Sequence, residues 1–92
     1  MSGNISVNNL VFETRYKDVG IVEYEAGDVF RVKSLTRNAN MYSRDWDLIN
    51  ISSFVSNPEK CITDDEISMV MLMHPDIDES VLKLEQRRFK II

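Results

Sequence analysis

At 92 residues the chain has room for one domain and not two, and 43% hydrophobic with 28% charged residues excludes disorder of the whole. A single cysteine, Cys61, excludes an internal disulfide framework, and no apolar run approaches the roughly 20 residues that a membrane-crossing helix needs. The net charge of −4 is segregated: residues 1–40 balance, residues 41–80 hold nine acids against two bases, and residues 81–92 hold one acid against four bases.

Met1-Ser2-Gly3-Asn4 lacks the basic and apolar regions of a signal peptide, so a cytoplasmic protein is expected. The sequons Asn4-Ile5-Ser6 and Asn50-Ile51-Ser52 are then accidental. From residue 10 the pattern is β. Leu10, Phe12 and Thr14 alternate with Val11, Glu13 and Arg15, and Ile21–Tyr24 and Val29–Val32 are rich in β-branched and aromatic residues. Asp18-Val19-Gly20 is expected as a first turn and Glu25-Ala26-Gly27-Asp28 as a hairpin turn, with Gly27 free to adopt positive φ. Val22 and Tyr24 are expected on one face of the hairpin.

Residues 36–44 are polar and are expected to form a loop. In 45–56, Leu48, Ile51, Ser52 and Val55 at helical spacing favour a helix capped by Ser43 or Asp45, although Ile49, Ile51 and Val55 also suit a strand. Asn57-Pro58 ends that segment. Thr63-Asp64-Asp65-Glu66 is a capping box with its acids at the positive end of a helix dipole, and Pro75 stops the helix it starts. Residues 80–92 suit a helix by Val81, Leu82, Glu85 and Phe89, and a strand by the alternation of Leu82, Leu84 and Gln86. The expected fold is α+β, one domain over 1–92, with an antiparallel meander of about three strands packed on two or three C-terminal helices.

No catalytic constellation is visible. His74 and Cys61 would lie at opposite ends of one helix, roughly 15–20 Å apart at about 1.5 Å per residue, too far to activate a thiol. Asp76-Ile77-Asp78-Glu79 lacks the mid-loop glycine and the spaced oxygens of a calcium loop. No phosphate loop, zinc spacing or nucleophile elbow occurs, so neither cofactor nor metal is expected. Met69, Met71 and Met73 are candidates for core filling and for a self-association face, and a homodimer is possible.

The candidate partner-binding residues are the acids of the middle segment: Asp45, Asp47, Glu59, Asp64, Asp65, Glu66, Asp76, Asp78 and Glu79. Such a surface attracts a basic groove and repels nucleic acid, so direct nucleic-acid binding is not expected. In size, acidity and lack of catalytic residues the chain resembles the anti-restriction nuclease proteins of T-even phages, DNA mimics that block a restriction enzyme. The resemblance implies an acidic inhibitor working in the host cytoplasm, with a basic nucleic-acid-binding host enzyme as its partner. The alternative is an adaptor or assembly module that uses methionines, Trp46 and tyrosines as anchors.

Overall fold

The computed structural model describes residues 5–37, 39–55 and 62–90, with side chains of the last helix described through Leu84. Glu59 and Cys61 fall outside that set. The described chain is α+β, with five antiparallel strands followed by two helices. The strands are β1 (Leu10–Glu13), β2 (Asp18–Ala26), β3 (Val29–Ser34), β4 (Asn40–Arg44) and β5 (Leu48–Asn50). Their order across the sheet is β4-β3-β2-β1-β5. The helices are α1 (Asp64–Met73) and α2 (Glu79–Lys90).

Two expected elements are replaced. Residues 40–44 are a strand and not a loop: Met41 and Ser43 point inward while Asn40, Tyr42 and Arg44 face water. The alternation has period two, but only one of its two buried residues is apolar, so composition hid it. Residues 45–55, the described part of the next segment, are not a helix. A 3₁₀ turn (Asp45–Asp47), β5 and a second 3₁₀ turn (Ser52–Phe54) occupy the segment. The backbone of β5 pairs with β1, with Ile49 opposite Phe12, and this pairing overrides the helical spacing.

The expected Asp18–Gly20 turn is instead the opening of β2, and the chain reverses at residues 14–17, where Lys17 takes φ 52°. Gly27 does take positive φ, 64°, in the β2–β3 turn. A bulge at Glu23 separates Val22, which is buried opposite Val32, from Tyr24, which faces outward opposite Arg31. Residues 79–90 resolve the open alternative in favour of a helix.

The sheet curls. Neighbouring strands are spaced about 4.8 Å apart, so β1 and β4, with β2 and β3 between them, would stand roughly 14 Å apart in a flat sheet. Yet Ser43 of β4 donates a hydrogen bond to Glu13 of β1, and Arg15 Nη2 donates to the Tyr42 carbonyl at 2.8 Å. The sheet is therefore an open barrel. Its inner face packs Ile5, Val11, Val22, Phe30, Val32, Met41 and Leu48 into one core. Its outer face over β1 and β2 presents Leu10, Phe12 and Val19 to a second core completed by Ile51, Val55, Ile62, Ile67, Val70, Ile77 and Leu82. For this reason every residue of β1 is buried.

The capping box forms as expected. Thr63 Oγ1 accepts from the Glu66 amide at 3.2 Å and Glu66 Oε1 accepts from the Thr63 amide at 3.0 Å. Thr63→Ala should cost about 1 kcal/mol in urea unfolding. An unchanged midpoint would show that packing of Ile67 and Val70 alone holds the start of α1. At the other end His74 caps through its backbone, donating to the Val70 carbonyl at 2.8 Å, and its ring meets Phe54 edge-on with centroids 6.0 Å apart.

Candidate binding surface

The barrel has a polar plug at one end. Glu13 and Asp18 are direct neighbours in the β1–β2 register, point inward, and are 0% and 1% exposed. Two acidic side chains buried in that position need hydrogen-bond and charge partners. Glu13 Oε2 meets Arg15 Nη2 at 3.2 Å and accepts from Ser43, while its other oxygen accepts from the Arg15 amide at 2.6 Å. Asp18 accepts from the Val19 amide at 2.8 Å, from Ser34 Oγ at 2.6 Å, from Thr36 Oγ1 and from Arg37 Nε at 3.2 Å. The hydrogen bond to Glu13 is the main cause that raises the Arg15 pKa above its ordinary value, and it outweighs desolvation.

Above the plug and along the outer face of β2, β3 and β4 lie the amphipathic aromatics. Tyr16, Tyr24, Tyr42 and Trp46 are all exposed, Trp46 by 71%, whereas Phe12 and Phe30 are buried. Three of the four rings carry a guanidinium over their faces: Arg15 over Tyr16 at 5.0 Å, Arg31 over Tyr24 at 4.5 Å and Arg44 over Trp46 at 5.5 Å. The register places Arg31 opposite both Tyr24 and Tyr42. Tyr42 joins this face to a concavity of about 320 Å³ at the barrel mouth, lined also by Tyr16, Asp18, Ser34, Arg37 and Met41.

Each of these arginines is also tied to a carboxylate. Arg31 pairs with Glu23 at 2.9 Å, Arg37 with Asp18 at 3.1 Å, Arg15 with Asp47 at 3.3 Å as well as Glu13, and Arg44 with Asp28. Each guanidinium is thereby engaged by a carboxylate of the same chain. Sequence reading named Trp46 and the tyrosines as possible anchors but missed the arginines. The only signal for them was the period-two recurrence of Arg31 with Lys33 and of Tyr42 with Arg44, which becomes informative once the strand register is known.

Of the described acids singled out from the sequence, only Asp45 and Asp47 belong to this surface. Asp45 and Asp47 sit on the 3₁₀ turn between β4 and β5, and Asp47 is engaged by Arg15. Asp64, Asp65 and Glu66 form the first turn of α1, with Glu66 taken up in the capping box. Asp76, Asp78 and Glu79 lie beyond the other end of α1. Glu79 pairs with Lys83 at 3.4 Å. Asp78 accepts from the Ser80 hydroxyl at 2.6 Å and the Ser80 amide at 3.0 Å. These two bonds, hydroxyl first, hold the Asp78 carboxyl below its ordinary pKa, with a smaller contribution from the charge of Lys17. Glu59 lies outside the described residues.

Among the described residues no cluster of three or more histidine, cysteine, aspartate or glutamate side chains is arranged to hold a metal ion, and no helix is long and apolar enough to cross a membrane. Searches against family models, curated proteins and solved structures find no match to this chain.

Proposed function

We propose that the protein is a non-catalytic module that binds another protein through the aromatic–arginine surface of β2, β3, β4 and the following 3₁₀ turn. The observation that carries this reading is the set of three exposed ring–guanidinium pairs, each with its arginine already fixed by a carboxylate. Tyrosine, tryptophan and arginine are the residues that dominate binding energy at protein interfaces. Ordering flexible side chains on binding costs about 0.5–1.5 kcal/mol each, and pairs held in advance avoid much of that cost. Internal compensation of the arginines also leaves little free positive charge for a phosphate backbone, which supports a protein partner over a nucleic acid.

The inhibitory reading, in which carboxylates occupy a basic groove, makes the opposite demand on mutants. Affinity capture from extracts of the native host separates the two. The double variant Trp46→Ala/Tyr42→Ala should weaken the captured complex by tenfold or more, about 1.4 kcal/mol at the least, since truncated anchors typically cost 2 kcal/mol or more. Asp64→Lys/Asp65→Lys should leave that complex intact. Capture lost on charge reversal and kept without the two rings would favour charge mimicry and overturn the proposal. Both substitutions are at exposed positions, and circular dichroism should show the fold retained.

A further inference from the structure

Among the described residues, the exposed hydrophobics outside the aromatic–arginine surface include a group of three on α1. On α1, Met69, Leu72 and Met73 are 47%, 73% and 56% exposed. They stand at i, i+3 and i+4 and so form one stripe, while Ile67 and Val70 on the opposite side enter the core. A core needs no second apolar stripe turned to water, and two of the three residues are methionines, whose flexible thioethers adapt to a partner's shape.

Charge says what could cover it. Asp65 lies at one end of the stripe and Asp76 just beyond the other end of α1, both exposed. Helix α1 is ten residues, about 15 Å long at 1.5 Å each. No lysine or arginine occurs between Lys60 and Lys83. A second copy of α1 laid on this stripe, parallel or antiparallel, would bring acids against acids at both ends. A complementary occupant has large apolar residues along one helical face and cations at both ends.

We infer that the exposed stripe of α1 is a docking site for a basic amphipathic helix of about ten residues from another protein, with its apolar residues on Met69, Leu72 and Met73 and its lysines or arginines beside Asp65 and Asp76. The mode is a helix laid against an apolar surface, with the carboxylates setting register and speeding encounter. The site is separate from the aromatic–arginine surface and stands or falls independently of it. It gives the protein two faces for two partners.

The test uses the full chain and a synthetic 14-residue peptide with leucines at i, i+3, i+4 and i+7 and two lysines at each end. Titration followed by amide NMR should shift residues 64–76 most. Affinity should fall by about tenfold or more between 50 mM and 500 mM salt, as screening acts on exposed charges. Leu72→Asp and, separately, Asp65→Lys/Asp76→Lys should each weaken binding by about tenfold or more, one 1.4 kcal/mol step, while Trp46→Ala/Tyr42→Ala should bind as the wild type does. A scrambled peptide of the same charge that binds equally well would overturn the inference. So would shifts centred on Tyr24, Tyr42 or Trp46, indifference to Leu72→Asp, or sedimentation as two copies with α1 protected in the absence of peptide.

Discussion

Asp18→Ala is expected to destabilise the protein by about 2–5 kcal/mol, the cost of two buried donors left unmet, a large share of the roughly 5–14 kcal/mol available to a domain of this length. The carboxylate is 1% exposed and ties together three segments: β2, the end of β3 and the connection to β4. Its loss leaves the Val19 amide and the buried Ser34 hydroxyl without an acceptor, and unmet buried donors cost about 1–3 kcal/mol each. Asp18→Asn should fall between the two, because an amide keeps the shape but turns N–H groups toward Ser34 or Arg37, which are already donors. Arg37→Ala tests the other half: it leaves a buried carboxylate beside Glu13 held by hydrogen bonds alone. Urea unfolding of the three variants measures the series. A cost under 1 kcal/mol for Asp18→Ala would mean that the plug does not hold the barrel mouth closed.

Gly20→Ala should cost about 2–3 kcal/mol, and Gly20→Val more, for a reason unrelated to polarity. A Cβ at residue 20 would lie 2.5 Å from the Lys33 carbonyl oxygen and 2.5 Å from Val32 Cγ1. Lys33 belongs to β3, which is paired on both sides, to β2 and to β4, so its backbone has no room to retreat. Gly20 is thus the place where the curled strands approach too closely for any side chain. Gly27 makes a contrast. Nothing lies within 4 Å of a Cβ there, and alanine at its φ of 64° should cost only the left-handed penalty of about 1–2 kcal/mol. If Gly20→Ala unfolded at the wild-type urea concentration, the close approach of β2 to β3 would be disproved.

The β-first, helix-last order was legible from the chain because each signal is local. Turn glycines, β-branched runs and the Thr63–Glu66 box act within a few residues. The errors have two causes. The opening of β2 and strand β4 pair with the strand just before them, and a misplaced turn and a polar composition hid them, whereas β5 is held by β1 far along the chain, and long-range pairing is invisible to a window of neighbours. The pairs Ser43–Glu13 and Ile51–Leu10 span 30 and more residues. The burial of Glu13 and Asp18 depends on contacts that join separate strands, Ser43 to Glu13 and Ser34 to Asp18.

The candidate surfaces divide likewise. Composition alone established that acids are concentrated in residues 41–80 and that no lysine or arginine interrupts 61–82. Periodicity alone put Met69, Leu72 and Met73 on one side of a helix, because 3.6 residues per turn is a property of the backbone. Which side of that helix faces water was decided by the outer face of the barrel, which takes Ile67 and Val70. That Arg31 stands opposite Tyr24 and Tyr42 was decided by strand register and a one-residue bulge. Covalent order dictates helical periodicity and charge density, whereas adjacency between strands depends on how the sheet curls to bury both its faces.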